Sequence, residues 1–99
     1  MFELKISTKV DKYICDYYDR MFDNPIYSSD QSTFEHQVYG IQETFKKVID
    51  DLSKNPLSYP SLNENIYFIV NTYLPFVLFY TIENLEIRIF DCYKREELF

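Results

Sequence analysis

The chain begins with alternating apolar and polar side chains from Phe2 to Ile6, a pattern typical of a half-buried strand. Ser7-Thr8 follows, and a hydroxyl at this place favours a helix start because it can accept a hydrogen bond from a first-turn amide. Apolar side chains then recur at steps of four, three and four residues: Val10, Ile14, Tyr17 and Met21. This spacing predicts a helix with one apolar stripe, which Asn24-Pro25 ends.

A second and longer helix is predicted after a short connection at residues 26–31. Ser32 and Glu35 match a capping box, in which two side chains satisfy end-of-helix amides reciprocally. The apolar positions that follow share one helix face: Phe34, Val38, Ile41, Phe45, Val48, Ile49 and Leu52. Asn55-Pro56 ends this helix. The two stripes predict an antiparallel helical hairpin whose shared apolar seam lies on a sheet.

The second half of the chain reads as strands. Residues 57–65 are rich in proline, serine and asparagine and predict a loop, residues 66–70 a strand, and Asn71-Thr72 a turn. Residues 73–82 are nearly all apolar, as expected for a central strand buried on both faces. Pro75 cannot donate to a strand ladder, so we expect it at the start of that strand or at a bulge.

The last strand completes a predicted hairpin. Glu83-Asn84 separates two apolar runs, and Asn84 suits the positive φ of a tight turn. Alternation in the final run predicts one face with Leu85, Ile87 and Ile89 and another with Glu86, Arg88 and Phe90. The order β-α-α-β-β-β predicts a single α+β domain over residues 1–99, with the helical hairpin packed on an antiparallel sheet.

The composition supports one folded domain. Of the 99 residues, 46% are hydrophobic and 19% are aromatic, which is enough apolar material for one core. The net charge of −6 disfavours broad, sequence-independent binding to DNA or RNA, because such binding needs many cationic contacts to phosphate. The longest apolar stretch, residues 74–80, is too short to span a bilayer, and no signal-peptide pattern is visible. We therefore expect a soluble cytoplasmic protein.

The cysteines and the histidine predict no metal site. Cys15 and Cys92 lie far apart in the sequence, so we expect two reduced thiols packed as small hydrophobic side chains. His36 is the one histidine and is expected on the solvent side of the second helix. Without a spaced set of histidine and cysteine ligands, the sequence predicts neither a metal nor a cofactor.

Three segments, taken in order, resemble the RelE/ParE superfamily of toxins from bacterial type II toxin–antitoxin modules: Leu52-Ser-Lys-Asn-Pro56, Leu74-Pro-Phe-Val-Leu-Phe-Tyr80 and Ile87-Arg-Ile-Phe-Asp-Cys-Tyr-Lys-Arg-Glu96. Their order and spacing extend the resemblance over essentially the whole chain. The resemblance implies a cognate antitoxin that lies along an exposed apolar groove or a sheet edge. It also implies a toxin–antitoxin assembly such as a heterotetramer, and a role in plasmid stabilisation.

The superfamily divides by mechanism. RelE-like members cut messenger RNA on the ribosome with basic residues, whereas ParE-like members resemble proteins that inhibit DNA gyrase by protein–protein contact. In an alignment through Phe79-Tyr80, the RelE-type catalytic lysines fall on Phe68 and Val70, and an arginine falls on Val77. Only the last arginine has a counterpart, Arg95. The resemblance therefore implies a ParE-like, non-catalytic toxin, and the alternatives are a ribosome-dependent endoribonuclease and an inactive antitoxin-binding relative.

Candidate residues follow from these alternatives. A nuclease would use Arg95 to stabilise the phosphate, with Lys94 or Tyr93 assisting. A binding protein would contact the antitoxin or gyrase through cationic and tyrosine side chains, because arginine pairs with acidic groups and tyrosine brings contact area. The partner-binding candidates are Arg88, Lys94, Arg95, Tyr13 and Tyr17. A solvated strand end is the competing interpretation of the Lys94-Arg95 pair.

Overall fold

The computed structural model describes the backbone of residues 2–23 and 31–98, and the side chains of residues 2–20 and 39–96. Its elements, in chain order, are β1 Glu3–Ile6, α1 Thr8–Asp23, α2 Gln31–Lys54, β2 Tyr67–Ile69, β3 Phe76–Glu83, β4 Glu86–Lys94 and the single turn α3 Arg95–Leu98. The predicted α+β class and the order β-α-α-β-β-β are confirmed. None of the described helices is long and apolar enough to cross a membrane.

The four strands form one sheet in the order β1-β4-β3-β2. β3 runs antiparallel to both β2 and β4, as predicted. β1 departs from the expected antiparallel arrangement, because it lies parallel to β4 with Leu4 opposite Ile87. The chain between β1 and β4 contains two helices and two strands, which is ample length for the crossover that a parallel neighbour needs.

The start of α1 and the ends of α1 and α2 agree with the sequence signals, whereas α2 already includes Gln31, the last residue of the predicted connection, and Ser32, the predicted N-cap. The Ser7 hydroxyl accepts a hydrogen bond from the Val10 amide at 3.2 Å, as an N-cap does. α1 ends at Asp23 and α2 at Lys54, each directly before an asparagine–proline pair. The predicted capping box lies on side chains outside the described set, and residues 24–30 of the predicted connection also lie outside it.

The core lies between the helices and one face of the sheet. Its buried members come from every strand except β1 and from both long helices: Val10, Ile14, Val48, Leu52, Ile69, Leu74, Phe76, Leu78, Tyr80, Ile87, Ile89 and Cys92. Phe2, Leu4, Ile41, Phe45 and Ile49 are half-buried against them. The apolar stripes are therefore confirmed for the described helix positions, while the side chains of Met21, Phe34 and Val38 lie outside the described set.

The turn into the central strand is built on Asn71. Its carbonyl accepts a hydrogen bond from the Leu74 amide at 3.0 Å, and its side-chain oxygen accepts one from the Tyr73 amide at 2.8 Å. Pro75 stands immediately before β3, where it removes no ladder hydrogen bond. Both faces of the first half of β3 are buried, since Phe76, Val77 and Leu78 are all inaccessible to solvent. The predicted turn and the position of Pro75 are confirmed, while the buried strand begins at Phe76 and leaves Tyr73, which is 76% exposed, in the turn.

The β3–β4 turn corrects one prediction. Asn84 and Leu85 both have positive φ, 51° and 64°, and together form the two-residue turn. Leu85 is therefore a turn residue, 68% exposed, and does not share the buried face of Ile87 and Ile89. The prediction was wrong because the alternation of buried and exposed side chains in β4 was extended by one residue, to Leu85, which belongs to the turn.

A bulge in β4 was not predicted. The register runs from Tyr80 opposite Ile89 to Phe79 opposite Asp91, so Phe90 is an extra residue. The bulge allows Ile89 and Cys92, three positions apart, to face the same core. Cys92 is thus buried as predicted, whereas Cys15 is exposed, contrary to the expectation that both thiols are packed.

Candidate functional site

The predicted basic pair lies where β4 ends. Nη1 of Arg95 donates hydrogen bonds to the carbonyl oxygens of Asn71, at 3.2 Å, and Thr72, at 2.8 Å. The backbone amide of Arg95 donates to the Pro75 carbonyl at 2.9 Å. Arg95 therefore joins the β2–β3 turn to the end of β4, with Nη1 of its guanidinium bonded to two backbone oxygens.

A shallow pocket of about 200 Å³ beside this pair is lined by Tyr17, Pro75, Lys94, Arg95 and Glu96. Lys94 lies opposite Phe76 in the register, which places it on the helix side of the sheet. The Glu96 carboxylate lines the same pocket and would repel an anion there. The pocket brings Tyr17, Lys94 and Arg95 together, but its charge balance does not favour phosphate.

Tyr93 lies on the other face of the sheet from Lys94. It is opposite Val77 in the register, and its ring meets the edge of Phe79 with centroids 5.8 Å apart. Because successive side chains of a strand point to opposite faces, the sheet separates the Tyr93 phenol from the Lys94 ammonium. The three residues expected to serve a nuclease are therefore divided between two surfaces.

The face of the sheet away from the helices carries an aromatic surface, which we call the open face and define by Phe68, Val77, Phe79 and Tyr93. The Phe68 and Phe79 rings lie 6.4 Å apart across the β2–β3 pair. Val77 is 1% exposed at the centre, while Phe68 and Phe79 are half-buried and Tyr93 is exposed. Val70, also exposed, follows β2 directly. The open face is a connected apolar surface.

Charged residues occupy the other end of the same face. Nε of Arg88 contacts Glu86 at 2.6 Å, its Nη1 lies 3.9 Å from the Glu83 carboxylate, and Lys5 lies 3.6 Å from Glu86. The hydrogen bond from Arg88 lowers the pKa of Glu86, and the same bond raises the pKa of Arg88. Arg88 is thus engaged in an ion-pair chain, six residues along β4 from Lys94.

Tyr13 and Tyr17 lie on the helix side. Their rings meet the edge of Phe76, with centroids 6.4 Å and 6.0 Å apart, and both are half-buried. Much of their area therefore belongs to the core. The five predicted partner-binding residues do not form one surface, because Arg88 lies across the sheet from both tyrosines.

A groove of about 570 Å³ between α2 and the β2–β3 turn was not anticipated from the sequence. It is lined by Gly40, Glu43, Thr44, Lys47, Val48, Asp51, Tyr59, Asn71 and Tyr73. The Tyr59 hydroxyl donates to Asp51 at 2.8 Å, and burial together with this bond raises the pKa of Tyr59 to about 12. The groove mixes both charge signs, so its lining favours no one class of ligand.

Among the described residues, no group of three or more histidine, cysteine, aspartate or glutamate side chains could hold a metal ion. The side chain of His36 lies outside that set. Comparison of the chain with protein-family models, with curated proteins and with solved structures found no match. The site is therefore judged on its own geometry.

The open face is the part of the site that sequence reasoning missed. Phe68, Val70 and Val77 were noted only as positions where cations are lacking. The signal for a surface was available in the strand alternation, since Phe68 and Phe79 each lie one residue from a core position. Tyr93 could not be added from the sequence, because the bulge at Phe90 shifts the alternation of β4.

Proposed function

We propose that this chain is the toxin of a type II toxin–antitoxin module and that it acts in the cytoplasm by binding a protein target, DNA gyrase, in the ParE-like manner. A cognate antitoxin would neutralise it. The proposal rests on the superfamily resemblance of the three segments. The fold agrees with that resemblance in class and in element order.

One observation favours binding over RNA cleavage. The positions that align with the cations of RNA-cutting members are Phe68, Val70 and Val77, and they lie on or next to one apolar surface, the open face. A phosphate at that surface would lose water, which is costly, and Lys9, a cation that interacts with Tyr93, is already paired with the Asp91 carboxylate at 2.9 Å. A protein that presents a complementary apolar surface would gain free energy by covering it.

The nuclease alternative is less well supported by the geometry. Its remaining arginine, Arg95, donates to backbone oxygens, and Tyr93 and Lys94 lie on opposite faces. Arg95→Ala would be a poor test of catalysis, because it would also loosen the β2–β3 turn. A better pair of variants changes Tyr93, since its ring and its hydroxyl serve different mechanisms.

The test is induced expression in bacteria of the wild type, Tyr93→Phe and Tyr93→Ser. Tyr93→Phe keeps the ring on Phe79 and removes the hydroxyl, so binding is retained while acid catalysis by Tyr93 is lost. Tyr93→Ser removes the ring, and we expect it to weaken binding by roughly tenfold, a typical loss for an interface aromatic. Lys94→Ala is the control that leaves the open face unchanged.

We expect growth arrest with double-strand DNA breaks and intact messenger RNA for the wild type, Tyr93→Phe and Lys94→Ala, and relief of arrest for Tyr93→Ser. The purified wild-type chain should inhibit supercoiling by gyrase. Cleavage of translated messages, with loss of that cleavage in Tyr93→Phe, would replace this proposal with the nuclease alternative. The absence of any arrest would favour an inactive antitoxin-binding relative.

A further inference from the structure

The outer edge of β1 carries backbone groups that point away from the sheet. The Glu3 amide donates to the Leu85 carbonyl and the Ser7 amide donates to the Ile89 carbonyl, each at 2.9 Å. In a parallel ladder alternate residues bond to the neighbouring strand, so the N–H and C=O groups of Leu4 and Ile6 face outward. These groups are a template for another strand.

The opposite edge of the sheet is covered. The Phe68 amide of β2 donates to the Pro60 carbonyl at 3.1 Å, and Ser61 forms a β-bridge with Tyr67. The loop before β2 therefore occupies that edge. Within residues 2–23 and 31–98, β1 has no corresponding cover. The two edges of the sheet thus differ: as far as the described residues go, the edge at β1 is the uncovered one.

We propose that β1 is a dimerisation strand that pairs antiparallel with β1 of a second copy, centred on Leu4. This register places Glu3 opposite Lys5 of the second copy and Phe2 opposite Ile6. The apolar side chains Phe2, Leu4 and Ile6 then meet on one face, and the charges meet on the other. The two four-stranded sheets become one sheet of eight strands with two-fold symmetry.

The charges of β1 select this register. An antiparallel shift of two residues places Glu3 opposite Glu3 or Lys5 opposite Lys5, and parallel in-register pairing also brings like charges together. Among the two-fold symmetric registers, only the Leu4-centred one makes opposite charges meet, and the symmetry makes each pair occur twice. Because Leu4 is a hydrogen-bonded position, Glu3 and Lys5 form a non-hydrogen-bonded pair, in which side chains lie closer.

The existing ion pairs lead to this edge. Glu83, Arg88, Glu86 and Lys5 alternate in sign across β3, β4 and β1. The Lys5 side chain ends the series and is 59% exposed. Glu3 of a second copy would extend the alternation by one more charge. The inference concerns self-association alone and holds whether or not the chain is a toxin.

The test uses charge reversals in the full chain, followed by sedimentation velocity over a range of concentrations. Glu3→Lys and Lys5→Glu each convert both cross-strand pairs into like-charge pairs. We expect each reversal alone to raise the dimer dissociation constant by roughly tenfold or more. An equimolar mixture of the two variants restores opposite charges at every pair, so dimers should return, now as heterodimers.

Glu64→Lys and Lys46→Glu are matched controls, since both change exposed charges by the same amount away from β1. They should leave the dissociation constant unchanged. Restoration in the mixture also shows that both variants are folded. A monomeric wild type at all concentrations would overturn the inference. A dimer that tolerates both reversals, or a mixture that stays monomeric, would overturn it equally.

Discussion

At the scale of single residues, Arg95 has the clearest part in the fold. Its guanidinium bonds two carbonyl oxygens of the β2–β3 turn, and its amide bonds the Pro75 carbonyl. These contacts join segments at least twenty residues apart in the chain. The Asn71 carbonyl already accepts from the Leu74 amide, so Arg95 gives it a second donor and gives the Thr72 carbonyl a partner from a distant segment. The competing interpretation of a solvated strand end therefore does not describe Arg95.

Arg95→Ala should lower the free energy of unfolding by about 1–2 kcal/mol, because two hydrogen bonds to a charged donor are lost. Chemical denaturation monitored by circular dichroism measures this. Lys94→Ala is the matched control, since Lys94 makes no hydrogen bond or ion pair within the described part of the chain. It should change the free energy by less than about 0.5 kcal/mol. Equal effects of the two variants would contradict the structural role of Arg95.

At the scale of elements, the β3–β4 hairpin combines a favourable turn type with an unfavourable residue. Asn84 tolerates positive φ because its side chain can bond locally, whereas leucine has no such compensation. Leu85 is also largely exposed, so its side chain gains little by packing. The twist of the strands selects this turn type, and the register of the strand pair keeps Leu85 within it.

Leu85→Gly should therefore raise the free energy of unfolding by about 0.5–1 kcal/mol. Relief of the strained conformation outweighs the greater freedom of glycine in the unfolded chain. Thermal and chemical unfolding measure the change. Leu57→Gly is the control, because Leu57 is 70% exposed and does not have positive φ. It should leave stability unchanged or lower it, and a similar gain in both variants would contradict strain at Leu85.

At the scale of the whole molecule, Cys92 couples the core to pH. Burial raises the pKa of this thiol to about 12 from its ordinary value of 9, and the nearby Asp91 adds to the shift. The folded state therefore keeps the proton in a pH range where the unfolded state loses it. Stability contributed by the neutral thiol is fully present below pH 9 and is lost as the pH rises toward 12.

We expect the free energy of unfolding to fall with rising pH between 9 and 11, and to fall less steeply in Cys92→Ala. Tyr59, whose pKa is raised to about 12, adds to the slope above pH 10, and so do Tyr18 and Tyr80, whose pKa values burial also raises. Cys15→Ala is the control for removing a thiol, because Cys15 is exposed and lies outside the core. Urea denaturation at successive pH values measures these slopes, and identical slopes in all three proteins would show that Cys92 is not protected.

Several features of the fold and of the candidate site were predictable because their causes are local. Pro56 ends α2 by restricting the residue before it, and the Ser7 hydroxyl starts α1 by accepting one nearby amide. Leu85 and Phe90 escaped prediction because strand alternation holds only while the register is unbroken. The turn and the bulge that break it depend on pairing between two strands.

The sequence by itself determined the order of the elements, the ends of the described helices and the apolar positions of the core. Each of these depends on residues within one or two turns of one another. Only the tertiary structure decided that β1 lies parallel to β4, that Arg95 serves a distant turn, and that Phe68, Phe79 and Tyr93 share one face. These outcomes require contacts between segments far apart in the chain, which no local pattern encodes.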